Sequence, residues 1–228
     1  MKTVINVVLT ICVAALLYIC YGSIMEPIHF QKEKAAREKA VIARLIDIRN
    51  AQMEYRSAHN GKFTACFDSL IAFVKTAKRP YIIKKGILTD DQLGKGLTEE
   101  KAVQIIEKAK ETGNWQKVKE AGLNDFRRDT LWVAIKDTLF GKGFNADSLP
   151  FIPYGKGARF ELETRTDSTY SGMPLYLFQA QAAFDTFLND LNRQQLNALK
   201  ATCEKENKYA GLRVGDIEQP NNNAGNWE

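Results

Sequence analysis

The sequence contains Gly-Lys-Gly three times, and glycine followed by lysine is a combination found in phosphate-binding loops. A phosphate-binding loop has the pattern Gly-x-x-x-x-Gly-Lys-Ser/Thr, in which backbone N–H groups and the lysine hold the phosphates. None of the three copies has this spacing. We therefore predict simple turns at residues 94–96, 141–143 and 155–157.

The histidines and carboxylates also lack the arrangement of a metal or catalytic site. Neither His29 nor His59 has a cysteine at metal-ligand spacing. The neighbouring Asp90 and Asp91 would diverge on a helix or a strand, so they are poorly placed for a catalytic dyad. No Gly-x-Ser-x-Gly nucleophile motif is present. These patterns predict a non-enzymatic protein that needs no cofactor and no metal.

Cys66 and Cys203 are the cysteines that lie outside the apolar N-terminal segment. Outside the cytoplasm they could pair, and closing so long a loop would stabilise the fold by about 4–5 kcal/mol in the chain-entropy account. The alternative is a pair of buried free thiols, and the sequence leaves both open.

Composition excludes several classes of protein. The chain has 228 residues, 45% of them hydrophobic, with a formal charge of +5 from 32 basic and 27 acidic side chains. These values are typical of a folded protein and exclude a disordered or collagen-like chain. The basic pairs Lys84-Lys85 and Arg127-Arg128 have no interleaved aromatic residues, so we expect no nucleic-acid partner.

Residues 4–25 contain no charged side chain. As a helix they would span roughly 33 Å, which exceeds the hydrocarbon core of about 30 Å. Tyr18 and Tyr21 would suit the headgroup boundary. A cleaved signal peptide is the alternative, but the apolar run is longer than an ordinary signal core and a small-x-small cleavage site is hard to find. We predict that residues 1–25 are an uncleaved anchor in the lipid bilayer.

The following residues, as far as Asn60-Gly61, are predicted to continue this helix, because glycine and proline are absent from 28–60. Their apolar side chains recur with the spacing of a heptad seam. The seam consists of Val41, Leu45, Ile48, Gln52 and Tyr55. It would pack either on the domain's own core or on a partner helix, including that of a second copy.

The rest of the chain predicts an α+β domain over 26–228, with the long helix packed on an antiparallel sheet. Residues 26–77 would form the long helix and a short helix at 68–76. Residues 78–125 would form a helical insert, and residues 126–228 would form the sheet, a late helix and a polar tail. We predict a loop at 77–97, meander strands at 130–137, 158–166 and 175–180, a turn at 167–172, and an edge strand at 212–217. The tail at 220–228 is predicted to be loose, although Trp227 could dock.

This order of elements resembles that of type IV pilins and type II secretion pseudopilins. The local match is IRNAQMEYRSAHNGKFTACFD, residues 48–68, in which Tyr55, Gly61 and Phe63 correspond to the end of the pseudopilin helix. The resemblance implies a pilin-like fold and envelope protein partners. Prepilins also carry a basic leader and a glutamate early in the mature apolar run. Here the apolar run starts after three residues and contains no glutamate, so we expect neither prepilin processing nor assembly into a fibre.

The whole chain resembles a family of single-pass envelope proteins of Bacteroidota that has no established activity. The similar stretches are SIMEPI at 23–28, RLIDIRNAQ at 44–52 and LRVGDIEQPNNNAGNWE at 212–228. Lys32, Lys34, Arg37 and Lys39 follow the anchor, and this charge pattern alone favours a cytoplasmic domain. The resemblances instead imply an inner-membrane protein with a periplasmic domain, which is the topology that we predict.

Two functions follow as hypotheses. The first is a non-enzymatic structural or assembly subunit of the envelope, similar in shape to a pseudopilin and joined to partners through the seam. The second is a membrane-tethered binding module. Its site would lie between the 78–125 insert and the sheet, near Trp115 and Trp132.

Overall fold

A computed structural model of the protein describes residues 2–141, 143–169 and 171–228. Met1 lies outside the described residues, as do Lys142 and Tyr170, which fall in two of the predicted turns. The helices are α1 (Lys2–Ala58), α2 (Phe67–Thr76), α3 (Asp90–Gly94), α4 (Glu99–Thr112), α5 (Gln116–Glu120), α6 (Ile135–Leu139), α7 (Phe184–Phe187) and α8 (Arg193–Lys205). The strands are β1 (Lys78–Lys85), β2 (Arg127–Ala134), β3 (Glu161–Ser168), β4 (Pro174–Ala183) and β5 (Gly211–Gly215).

These elements confirm the predicted α+β class and divide into two compact units. Unit 1 consists of Met1–Lys75 and Leu139–Glu228, and unit 2 consists of Thr76–Thr138. The predicted insert at 78–125 is therefore too short at its C-terminal end. It extends through β2, which the sequence had assigned to the main sheet.

Helix α1 runs without interruption from the apolar segment into the folded part of unit 1 and passes through Pro27. Side chains 5–24 are exposed. The hydroxyl of Thr10 donates to the carbonyl of Asn6 at 2.9 Å, so this polar group is satisfied within the helix, as a hydrocarbon environment requires. By length and composition, α1 is the one helix of the described chain that could cross a membrane.

The predicted seam is buried inside unit 1. Val41, Leu45, Ile48 and Gln52 are fully buried, and Tyr55 is half-buried against the same core. This stretch of α1 packs on β4 and β5. Of the two alternatives for the seam, the structure shows packing on the domain's own sheet, which leaves the four buried side chains unavailable to a partner helix.

The buried stripe also reaches further toward the anchor than the sequence indicated. Phe30 and Arg37 are buried, although the surrounding residues are polar. Arg37 Nη1 donates to the carbonyl of Phe187 at 2.8 Å, and its guanidinium makes two hydrogen bonds with the carboxylate of Asp190, at 2.5 and 2.9 Å. A buried cation is tolerated here because its two terminal nitrogens meet a carbonyl and a carboxylate, although its Nε is buried without a hydrogen-bond partner in the described structure.

The main sheet is antiparallel with the order β3-β4-β5. In its register Thr164 lies opposite Phe178, and Ala180 lies opposite Val214. Phe178, Ala180 and Val214 are buried in the core of unit 1. Strand β5 confirms the predicted edge strand, and β3 and β4 confirm two strands of the predicted meander.

The C-terminal tail is docked, which corrects the prediction that it is loose. Gly215 N donates to Ala224 O at 3.0 Å, and Asn226 N donates to Arg213 O at 2.9 Å. Arg49 of α1 pairs with Glu228 at 2.6 Å. Together with Trp227, which packs against the core of unit 1, these contacts make the tail part of the fold.

Unit 2 contains a separate two-stranded ribbon. Strand β2 pairs with β1, from Lys78 opposite Ala134 to Lys85 opposite Arg127. The prediction that the strand at 130–137 opens the main meander is therefore wrong, as is the predicted loop over 77–97, which contains β1 and α3. Pro80 has no N–H to donate, and a two-stranded ribbon accommodates it because each strand has a free edge.

The helices of unit 2 bury an apolar core of their own. Its buried residues are Leu88, Ala102, Ile106, Ala109, Val118, Leu123 and Phe126. At the base of the ribbon, Ile135 N donates to the carbonyl of Ala77 at 3.0 Å, so the chain enters and leaves unit 2 side by side. Adjacent ends and a separate core are what a domain inserted into another fold requires.

Candidate functional site

The structure separates the residues that the sequence singled out. Cys66 is exposed and Cys203 is half-buried against the core of unit 1, and both are free thiols, so the suggested bridge is not formed. The alternative of two buried thiols also fails at Cys66. Trp115 is 47% exposed and lines a cavity in unit 2, whereas Trp132 is 65% exposed on β2 and does not line that cavity.

This cavity has a volume of about 470 Å³ and lies within unit 2. Its apolar wall is made by buried side chains of α4, α5 and the segment before β2. They are Ile106, Val118, Leu123 and Phe126. Small-molecule sites are typically cavities of about 300–1,000 Å³ with mainly apolar linings, so both the size and the wall fit a small ligand.

Local chain geometry shapes the cavity. Helix α4 ends at Gly113, whose φ of 70° places it in the left-handed region. Asn114 Oδ1 then accepts from Gln116 N at 3.0 Å at the start of α5, and this holds Trp115 between the two helices. After α5, Gly122 turns the chain with φ 67°, which brings Leu123 back beneath α5.

The lining also contains five charged side chains, four cations and one carboxylate: Lys110, Lys119, Arg127, Arg128 and Asp129. Lys110 pairs with Asp129 at 3.1 Å, and Arg128 pairs with Glu99 at 3.1 Å. Among the residues that the structure describes, no carboxylate lies within ion-pair distance of Lys119 or Arg127. The cavity therefore combines an apolar wall with two cations whose charge is not compensated locally.

Arg128 lines the cavity, but its guanidinium already has partners within the protein. Its guanidinium carbon lies 4.0 Å from the centre of the Phe126 ring, and its Nη1 donates to the carbonyls of Lys85 and Gly86 at 3.0 and 3.2 Å. Its hydrogen bond to Glu99, with the charges of Arg128 and Lys84, lowers the pKa of that carboxyl. Arg128 Nε is buried without a hydrogen-bond partner in the described structure. These contacts assign Arg128 to positioning Phe126 and β1.

Histidine, cysteine and serine are absent from the described lining of the cavity. Across the residues 2–141, 143–169 and 171–228, no cluster of three or more His, Cys, Asp or Glu side chains could hold a metal ion. The arrangement suits retention of a small molecule, with its apolar part against the wall and a negative group beside Lys119 and Arg127.

A second depression, of about 410 Å³, lies in unit 1 beside the docked tail. Its lining includes Tyr209, Cys203 and Trp227. Burial, followed by the charge of Glu161, raises the pKa of Tyr209 to about 12, so the phenol stays protonated at neutral pH. Its cations, Lys208 and Arg213, are paired with Glu206 and Asp216, and its Glu38 is paired with Lys34. Among the residues that the structure describes, the depression therefore offers a ligand no uncompensated charge.

Of the cavity residues, the sequence pointed only to Trp115. Arg127 was considered only as a nucleic-acid contact and Lys119 was missed, because surface lysines and arginines are common and the fold alone brings these two to one cavity. Comparison with protein families, with characterised proteins and with solved structures finds no match for this chain.

Proposed function

We propose that this protein is a single-pass, membrane-anchored binding subunit of the cell envelope. In this proposal unit 1 fixes the protein at the membrane and unit 2 recognises a ligand. The observation that carries the proposal is the cavity of unit 2, where an apolar wall adjoins two uncompensated cations, Lys119 and Arg127.

The contacts of α1 support a fixed position at the membrane. The exposed apolar segment ends near Ile24, and contacts with the folded unit begin at Glu26, whose Oε1 accepts from Asn192 Nδ2 at 2.6 Å. Phe30 is buried soon after. In the described chain α1 continues without a break from the anchor into the folded part of unit 1, so that folded part would stand directly at the membrane surface.

We place both units in the periplasm and the anchor in the inner membrane, on the basis of the resemblance to envelope proteins. A reporter fused after Glu228 tests this orientation. An exported reporter is expected. Cytoplasmic reporter activity would contradict the orientation and leave a binding subunit that faces the cytoplasm.

A ligand carried through purification would test the proposed function directly. Native mass spectrometry of the full chain, extracted from its own membranes in mild detergent, is expected to show an additional bound mass. Val118→Phe should remove that mass by filling the cavity. Val103→Phe, also in unit 2 but outside the cavity lining, should keep it.

A second variant protects this test from misfolding, because Val118 is buried. Asn124 is exposed and lines the cavity, so Asn124→Phe obstructs the cavity without entering the core. Thermal unfolding of each variant supplies the folding control. A bound mass that survives both obstructing variants in folded protein, or its absence from the wild type, would contradict the proposal.

A pseudopilin-like assembly role is the second candidate, and the unbroken helix Lys2–Ala58 packed on an antiparallel sheet favours it. Because the seam is buried, assembly would use the exposed segment 5–24. Cys12 and Cys20 lie exposed in that segment. With Cys66 and Cys203 changed to serine, oxidation of the protein in its membrane should then give disulfide-linked dimers. A purely monomeric product would count against assembly through α1.

A further inference from the structure

We propose that the cavity of unit 2 binds an aromatic carboxylate, with the ring against the apolar wall and Trp115, and the carboxylate between Lys119 and Arg127. This inference rests on the proposed function, because it names the ligand class of the same cavity.

The charge of the ligand follows from the pairing of the lining residues. The carboxylate of Asp129 is engaged by Lys110, and Glu99 is engaged by Arg128. In the described chain Lys119 and Arg127 have no such partner, although both line the cavity. Cations beside an apolar, weakly polarisable wall attract an anion more strongly than they would in open water. A cationic ligand would meet repulsion at the same place.

The aromatic character of the ligand follows from the wall. Trp115 is half-exposed at the cavity, and Phe126 is buried in the wall beneath the guanidinium of Arg128. Aromatic rings pack against one another in offset or edge-to-face arrangements that add to the gain from burial alone. A cavity of about 470 Å³ accommodates a compact ring system rather than a folded partner.

Three probes of nearly the same shape separate the contribution of charge from that of the ring. They are 2-naphthoate, neutral 2-naphthamide and cationic 2-naphthylmethylammonium, each titrated calorimetrically into the full chain in nanodiscs. A hydrogen bond to a charged group is worth more than a neutral one, so 2-naphthoate should bind about 10- to 100-fold more tightly than the amide. The ammonium compound should bind most weakly. The preference for 2-naphthoate should shrink as salt is raised.

A matched pair of variants on α5 locates the binding site. Lys119 and Lys117 are both exposed, but only Lys119 lines the cavity. Lys119→Glu should weaken 2-naphthoate binding at least about 10-fold, because an attraction becomes a repulsion. Lys117→Glu should leave the affinity within about twofold. Arg127→Glu provides a second reversal from β2 and should also weaken binding.

The outcomes separate this inference from the proposed function. Equal affinity for the three probes would overturn the anion preference. Unchanged 2-naphthoate affinity in Lys119→Glu and Arg127→Glu would overturn the location. Absence of 2-naphthoate binding at about 1 mM would overturn the ligand class. The proposed function would stand in each of these cases if Val118→Phe still removed a co-purified mass. It would fail only if the wild type carried no such mass, or if the mass survived both Val118→Phe and Asn124→Phe in folded protein.

Discussion

Gln52 provides the sharpest test of how α1 packs in unit 1. It is the polar member of the heptad stripe and is fully buried. Its Nε2 donates to the carbonyl of Thr64 at 2.6 Å, and its Oε1 accepts from Thr64 N at 3.2 Å. A single side-chain amide thus satisfies both backbone groups of one residue in the segment between α1 and α2. The substitution Gln52→Leu keeps the approximate volume of the side chain and removes both hydrogen bonds.

The expected loss of stability can be worked from these two contacts. A buried backbone group left without its partner costs about 1–3 kcal/mol. Thr64 is half-buried, so each of its groups should fall near the lower end, and the variant should lose about 2–3 kcal/mol. With a urea dependence of about 2 kcal/mol per molar, the midpoint of unit 1 should fall by about 1–1.5 M.

Trp227 allows unit 1 to be followed by itself, because it packs against that core, whereas Trp115 and Trp132 belong to unit 2. Urea titration of the Trp115→Phe, Trp132→Phe background, monitored by Trp227 fluorescence, measures the midpoint. The control is Met53→Leu, which changes a neighbouring side chain of α1 that is 39% exposed. It should shift the urea midpoint by less than about 0.3 M. If Gln52→Leu also shifted the urea midpoint by less than about 0.3 M, packing of the heptad stripe on its own domain would be refuted.

Two further predictions concern titratable groups of unit 1. The hydrogen bond from Arg37 lowers the pKa of Asp190 to about 2, so the ion pair stabilises the folded state above about pH 4 and this contribution is lost as pH falls toward 2. Asp190→Asn should therefore be less stable than the wild type at neutral pH, and the difference in urea midpoint should vanish near pH 2. Hydrogen bonds from the backbone and hydroxyl of Ser69 lower the pKa of the exposed Cys66 thiol. With the other cysteines changed to serine, Cys66 should react with iodoacetamide at a lower pH than an ordinary thiol, and Ser69→Ala should move this pH dependence upward.

Local patterns predicted much of unit 1. The recurrence of apolar residues identified the buried face of α1, and Asn60-Gly61 marked its end, where both residues have positive φ. The strands β3 and β4 were also predicted, β3 from its alternating pattern. Arg37 was missed, because its burial depends on Asp190, which is distant in the sequence and brought near only by the fold.

Unit 2 was harder to predict for a physical reason. Strand β1 contains Pro80 and four basic residues, so it has no alternating apolar pattern. Its partner β2 does have such a pattern, and the sequence therefore assigned β2 to the nearest group of strands along the chain. Pairing across the intervening helices depends on the core around Ile106 and Phe126, which no local signal reveals. Because this core was not predicted, the cavity that it lines was not predicted either.

Removal of unit 2 tests most directly the claim that it is a separable recognition unit on an anchored scaffold. The chain enters and leaves it side by side at Ala77 and Ile135, so a short Gly-Ser linker can replace Thr76–Thr138. The shortened protein is expected to remain in the membrane, to keep the wild-type urea midpoint at Trp227 and to lose the co-purified mass. Collapse of the Trp227 transition, or retention of the bound mass, would contradict the account.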